Sequence, residues 1–142
     1  FERTRAMERW FILALIATLM FGLGSFFGKM ALMRDIPYRV YFFEGIGTIT
    51  VLTSLIIFKR NEIFTDFAVN HYALLMGLTW GIGTIIFIIA LQPAKLSALV
   101  PLTAVYPAVT VVLGVLVLKE SLDLREILGI VFAIVTVILL SK

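Results

Sequence analysis

The chain has 142 residues, of which 61% are hydrophobic and only 15% are charged, against roughly 25% charged residues in a typical globular protein. A chain of this length buries only about two-thirds of its surface when it folds in water. The composition therefore excludes an ordinary soluble domain and indicates that lipid is the solvent for most of the chain.

The sequence contains no cysteine and a single histidine. This excludes a disulfide framework, an iron–sulfur cluster and a conventional zinc site, so we expect no metal and no other cofactor. The net charge is +3, and the basic residues lie between apolar blocks rather than in one patch. Nucleic acid is therefore not expected as a partner.

Five apolar runs are long enough, or nearly so, for a helix that crosses a hydrocarbon core of roughly 30 Å. They cover residues 10–30, 40–58, 72–91, 98–118 and 124–140, with charged residues or prolines between them. The pattern predicts an all-α integral membrane protein with five transmembrane helices, formed by residues 1–142 as a single domain. Residues 1–6 precede a candidate start at Met7; whether they are native is left open, and they carry no weight.

Polar side chains recur at helical spacing inside these runs, and in lipid such groups should face protein or water. The first run carries Thr18, Gly22, Ser25 and Lys29, and the second carries Glu44 and Thr48. The third carries Trp80 and Thr84, and the fourth carries Thr103, Tyr106, Thr110 and Gly114. Each set predicts one polar helix face.

Lys29 and Glu44 lie at equal distances from the turn between the first two runs. In an antiparallel hairpin they would have similar depth, which suggests an ion pair at a cavity wall with Glu44 as a proton acceptor. Two alternatives stay open. Lys29 can extend its ammonium group towards the interface, and Glu44 can stabilise the N-terminus of its own helix.

Two prolines lie in the fourth run. Pro107 has no N–H to give to the carbonyl of Thr103, so it predicts a kink with a carbonyl facing protein or water; an effect on packing alone is the alternative. Pro101 is expected near the helix start, where proline is tolerated.

Smaller signals concern helix packing and helix ends. The pairs Gly24/Gly28 and Gly77/Gly81 predict close helix contacts, and Gly129 with Ala133 is a weaker pair of the same kind. Asp123 with Glu126 predicts a capping box at the start of the fifth helix.

Residues 90–142 resemble the EamA-type repeat of the drug/metabolite transporter superfamily, and the first run is similar to it as well. The matching features are an alanine-rich start, a proline-containing stretch, a Lys-Glu turn and an early glycine in the last run: Ser97–Ala98, Pro101–Pro107, Lys119–Glu120 and Gly129. The resemblance covers the whole chain in order. It implies a multi-pass transporter subunit of the cell (inner or plasma) membrane, not an enzyme, that moves a small organic metabolite or drug-like compound by alternating access without ATP.

Full-length members of that superfamily carry two such repeats in inverted orientation, whereas this chain carries one. Because a repeat of five spans inverts its successor, a lone repeat can recreate the arrangement by pairing with an oppositely oriented copy. Counted from Met7, the two sides of the membrane receive nearly equal numbers of Lys and Arg, which permits dual insertion. We therefore expect an antiparallel homodimer, with a parallel dimer as the alternative.

Under this interpretation the polar faces line a substrate cavity, and Glu44 with Lys29 forms its gate or coupling pair. The predicted substrate-binding residues are Ser25, Lys29, Glu44, Thr48, Trp80, Thr84, Thr103, Tyr106, Pro107 and Thr110. A different class of function remains as the alternative: a dimeric membrane channel, or a structural membrane subunit that transports nothing.

Overall fold

The structure is a computed structural model that describes residues 2–65 and 68–140, with side chains described from residue 9 to residue 139 within those ranges. The described chain is helical and contains no β-strand. Its helices are α1 (Glu2–Leu32), α2 (Pro37–Phe64), α3 (His71–Leu91), α4 (Leu96–Thr103), α5 (Tyr106–Val117) and α6 (Leu124–Leu140). The predicted all-α fold is confirmed.

Four stretches of the described chain are long enough and apolar enough to cross a membrane: Arg9–Leu32, Pro37–Phe64, His71–Leu91 and Leu96–Val117. The last of these combines α4 and α5. Helix α6 has 17 residues, which gives it a length of about 26 Å and places it at the lower end of the range for a span.

The chain divides into two compact units, residues 1–93 and residues 94–142. Unit 1 holds α1, α2 and α3, which contact one another and alternate in direction because their connections are short. The prediction of a single domain stays a prediction.

Buried side chains in unit 1 concentrate at one end. The buried hydrophobic residues are Val40, Ile88 and Leu91, with exposed fractions of 8%, 5% and 0%. They lie where α1 and α3 finish and α2 begins, and we call this region the packed end of unit 1. At the opposite end, Trp10 and Tyr72 are 60% and 84% exposed. Unit 1 is therefore closed by packing at one end only.

The helix boundaries of unit 1 follow local chemistry. Pro37 occupies the first turn of α2, where no intrahelical partner for its nitrogen is required. The Asn70 side chain caps α3 by accepting a hydrogen bond from the Ala73 N–H at 3.1 Å. Within α2, Lys59 leaves helical geometry (φ −119°, ψ 22°), at the point where the second apolar run was expected to end.

Unit 2 holds α4, α5 and α6, and α6 contacts both of the others. The fourth predicted run, over residues 98–118, corresponds to the spanning stretch Leu96–Val117, and its helix stops at Thr103 and restarts at Tyr106. Pro107 lies in the first turn of α5, and the interruption falls between it and Thr103, the segment that the predicted proline kink involves. Pro101 is the sixth residue of α4 and not part of its first turn, so the expectation that it lies near the helix start was wrong.

Two backbone features form the turn between α5 and α6. Lys119 adopts a left-handed conformation with φ 56°, which ends α5 because an L-residue cannot continue a right-handed helix in that region. The N–H of the next residue, Glu120, donates to the Gly114 carbonyl at 3.2 Å. The same carbonyl also accepts from the Leu118 N–H at 3.0 Å, so two backbone bonds close the C-terminal end of α5.

One of the two hydrogen bonds of the predicted capping box at the start of α6 is formed. The Asp123 N–H donates to the Glu126 carboxylate at 2.8 Å, as the box requires. The Asp123 carboxylate, however, accepts from the neighbouring Leu124 N–H at 2.7 Å. Its short side chain has turned to the nearest free amide, and a carboxylate at this end still favours the helix dipole.

Candidate functional site

Lys29 lies in the last turn of α1, at the packed end of unit 1, and its side chain is half-buried. Its ammonium group donates to the carbonyl of Leu91 at 2.8 Å and to the carbonyl of Gln92 at 3.2 Å. These two residues are the last residue of α3 and its C-cap. The cation therefore lies at the negative end of the α3 dipole.

Glu44 lies two turns into α2 and is exposed. Its carboxylate accepts a hydrogen bond of 3.4 Å from the Thr48 hydroxyl, one turn further along the same helix. The salt bridges of the described side chains include Arg39–Asp35 and Lys59–Glu62, and the predicted pair of Glu44 with Lys29 is not among them. Glu44 and Thr48 are thus brought together, while Lys29 is bound to backbone carbonyls.

The remaining predicted hydroxyls bond to their own helices. Ser25 donates to the Phe21 carbonyl at 2.9 Å, and Thr84 donates to the Trp80 carbonyl at 2.8 Å. A hydroxyl in lipid gains a partner this way without any neighbouring helix. The hydroxyl oxygens keep the ability to accept a hydrogen bond from a solute.

Trp80 is near the middle of α3 and more than half exposed. One turn of spacing places Trp80 and Thr84 on the same part of α3, as expected from the sequence. A large apolar ring beside a hydroxyl acceptor can contact both the apolar body and the polar group of a solute.

The pattern of polar runs did not single out Tyr41, which forms an interhelix hydrogen bond of unit 1. The Tyr41 hydroxyl of α2 donates to the Gly81 carbonyl of α3 at 3.1 Å. A Cβ atom on Gly81 would lie 3.3 Å from that hydroxyl, so the glycine leaves room for the approach. The Gly77/Gly81 pair was the available signal, although a Cβ atom on Gly77 would meet no other helix within 4 Å.

The site residues predicted in unit 2 lie at the helix break. The Thr103 hydroxyl donates to the carbonyls of Leu99 and Val100 at 3.1 and 3.0 Å. The Thr110 hydroxyl donates to the Tyr106 carbonyl at 3.4 Å, and Tyr106 is about half exposed. The break therefore gathers a threonine, a tyrosine and a proline around Ala104, whose backbone (φ −64°, ψ 2°) leaves helical geometry.

A groove of about 830 Å³ runs along unit 2. Of the predicted residues it includes Pro107, which lies on its wall. Its other walls combine small apolar residues with charged groups at the α5–α6 turn, among them Ala108, Gly129, Ala133, Lys119, Glu120 and Glu126.

Glu120 and Glu126 are groove residues that the sequence analysis did not assign to a site. The Glu120 carboxylate lies against Gly114, where a Cβ atom would be 2.7 Å from it. The available signals were the Lys-Glu turn, which was used only for the family resemblance, and the capping pattern, which was interpreted as structural. Among the described residues, no group of three His, Cys, Asp or Glu side chains could hold a metal ion.

Comparison with known proteins identifies the family. The sequence model of the EamA-like transporter family matches residues 8–142. The chain belongs to this family. An uncharacterized protein of Methanocaldococcus jannaschii is 36% identical over 135 residues, which are 95% of this chain and 98% of that protein. No solved structure matches.

Membership of the EamA-like family accounts for the helices of membrane-crossing length and makes this a multi-pass membrane protein of the drug/metabolite transporter type. Members of the family are transporters rather than enzymes. The archaeal relative has nearly the same length as the region it matches, so it too has the size of one repeat.

Proposed function

We propose that this EamA-like protein is the subunit of a secondary transporter for a small organic metabolite or drug-like compound. It works in the cell membrane by alternating access and without ATP. The observation that carries the proposal is the break between α4 and α5 within an otherwise apolar stretch of spanning length.

A break of this kind has a physical meaning in lipid. Backbone groups outside a helix are tolerated at membrane depth only where they face protein or a water-filled cavity. Transporters use such discontinuous helices to contact their substrates, because the half-helix ends and free carbonyls bind polar groups. Because Pro107 has no N–H, it cannot donate to the Thr103 carbonyl. This carbonyl therefore stays available to bind a polar group of the solute.

Polar residues of each unit are proposed to contact the solute. In unit 1 these are Ser25, Thr48, Trp80 and Thr84, with Glu44 as the coupling carboxylate and Lys29 at the gate. In unit 2 they are Thr103, Tyr106, Pro107 and Thr110. A carboxylate within a span is typical of ion and substrate pathways, which supports the role of Glu44.

We further propose that the working form is a homodimer of oppositely inserted copies. Few hydrophobic side chains among the described residues are buried within the chain, so most helix faces are available to lipid or to a second copy. The exposed Glu44 carboxylate is costly against lipid and favours a protein partner. The nearly equal distribution of basic residues permits both orientations.

The test begins with purified protein in detergent and a thermal-shift screen against amino acids, sugars, nucleosides, polyamines and quaternary ammonium compounds. A ligand that binds only the folded state raises the melting temperature. The compound with the largest shift is then used for counterflow in proteoliposomes. We expect saturable exchange without ATP.

Other outcomes of this test would reject the proposal. Single-channel currents with flux that does not saturate would identify a channel. No thermal shift and no flux with any compound class would identify a structural subunit.

A further inference from the structure

Lys29 makes contacts that the transport proposal does not use. Its ammonium group reaches from the last turn of α1 to the carbonyls of Leu91 and Gln92. The last four carbonyls of a helix have no intrahelical donor, and in lipid an unsatisfied carbonyl costs several kcal/mol. Lys29 satisfies two such groups of a helix to which it does not belong.

Helix α3 has no basic residue of its own in its last turn. The positive charge that favours a helix C-terminus is therefore supplied by α1. The Lys29 ammonium group thus links the ends of α1 and α3 through charge-assisted hydrogen bonds, which are roughly twice as strong as neutral ones.

The neighbouring packing belongs to the same contact. A Cβ atom on Gly28 would lie 3.7 Å from the Leu91 side chain, so α1 approaches α3 beside the lysine. Leu91 is fully buried there, and Ile88 is nearly so. Away from this end, large side chains of α1 and α3 such as Phe21 and Tyr72 are exposed.

We propose that Lys29 is an electrostatic clamp that keeps the packed end of unit 1 closed by holding α1 against the C-terminus of α3. The clamp deepens the proposed gate role of Lys29 and rests on the proposed function: it names the helix end that the ammonium group holds, whatever the solute is. Its role is that of a positioning residue. Release of the clamp would let α1 and α3 separate at this end while the helices themselves persist.

The test is hydrogen–deuterium exchange, read by mass spectrometry, on the full-length protein in nanodiscs. Lys29→Met keeps an unbranched apolar side chain and removes the ammonium group. We expect amides at the ends of α1 and α3 to exchange at least about tenfold faster, the effect of losing hydrogen bonds to a charged group. Peptides from the opposite ends of the same helices should exchange as in the parent protein.

Three further variants complete the experiment. Lys29→Arg keeps a cation with several donors and should restore slow exchange. Lys59→Met is the matched control, because Lys59 is an exposed lysine of unit 1 that pairs with Glu62; its exchange at the packed end should equal that of the parent. Lys29→Gln loses the charge and shortens the side chain. If Lys29→Met is not recovered folded, Lys29→Gln replaces it, and we expect a smaller increase in amide exchange at the packed end.

Unchanged exchange at the packed end in Lys29→Met, or in Lys29→Gln where it replaces it, would overturn the clamp. Equal acceleration throughout unit 1 would overturn it too, because that result indicates a general loss of stability. Since no solute takes part in the measurement, its failure is distinguishable from a failure of the transport proposal.

Discussion

The two units of this chain differ in how their polar groups find hydrogen-bond partners in an apolar environment. Unit 1 keeps three long helices and satisfies polar groups through bonds within a helix, as at Ser25, or between helices, as at Lys29 and Tyr41. Unit 2 interrupts its apolar stretch between Thr103 and Tyr106 and carries charged groups into a groove.

This difference suggests separate roles for the two units in recognition and in opening. In unit 1 the proposed solute contacts are side chains on helices whose backbone groups are largely satisfied within each helix. A helix break leaves backbone groups that lipid cannot satisfy, and a solute or water can take their place. We therefore expect unit 2 to determine recognition and the packed end of unit 1 to determine which side opens.

The largest effect is expected at the break. Pro107→Ala supplies an N–H that can bond to the Thr103 carbonyl, which permits one continuous helix. Uptake by proteoliposomes should fall at least about tenfold if a solute contact worth roughly 1.4 kcal/mol is lost, while the thermal stability holds or rises. Pro93→Ala, in the turn after α3, is the control and should leave uptake unchanged. Full uptake with newly protected amides at residues 103–108 would contradict the role of the break.

Substitution of Glu44 tests whether unit 1 couples solute uptake to protons. Glu44→Gln keeps the shape and the hydrogen bond with Thr48 but cannot exchange a proton, so uptake should lose its dependence on external pH. Glu62→Gln removes a carboxylate that is exposed and paired with Lys59, and it should keep the parental pH profile. An unaltered profile in Glu44→Gln would remove Glu44 from the coupling mechanism.

The packed end predicts a difference in stability within α3. Leu91→Ala removes a fully buried side chain and should lower the free energy of unfolding by about 2 kcal/mol, at the low end for buried leucine because lipid adds no hydrophobic driving force between helices. Leu74→Ala, at an exposed position of the same helix, should change it by much less. Equal losses of unfolding free energy, measured by denaturation in mixed micelles, would show that the packed end contributes no more to stability than the rest of α3.

The smallest effect concerns the bond between α2 and α3. Tyr41→Phe deletes the hydroxyl that donates to Gly81 and should cost about 1 kcal/mol in the same assay. Tyr38→Phe alters an exposed tyrosine one turn earlier and should be neutral. If the two variants are equally stable, the hydrogen bond contributes nothing to unit 1.

The sequence predicted the helices better than their contacts. Helix α6 has the predicted bounds, and α3 begins one residue before the predicted start, because uninterrupted apolar runs with charged or proline-containing flanks define a span. The kink expected from Pro107 corresponds to the interruption between Thr103 and Tyr106, although the sequence did not show that Pro107 would lie in the first turn of a separate helix. The family was recognised from the Pro101–Pro107 stretch and the Lys-Glu turn.

The partners of Lys29 could not be predicted in this way. Its acceptors are backbone carbonyls, which every residue has and which leave no trace in the pattern of side chains. Glu44 offered a visible partner of opposite charge, so the sequence suggested an ion pair. The helix end that Lys29 contacts becomes apparent only when α1 and α3 are placed together.

The account depends most on the pairing of oppositely inserted copies. The chain has no cysteine, so single cysteines report cleanly on orientation. Met33→Cys follows α1 and Val69→Cys precedes α3, both at exposed and uncharged positions. If α2 crosses the membrane between them, they lie on opposite sides. Intact cells are treated with a membrane-impermeant maleimide. We predict that each cysteine is labelled in about half of the molecules, as dual insertion requires; complete labelling of one position and none of the other would contradict it.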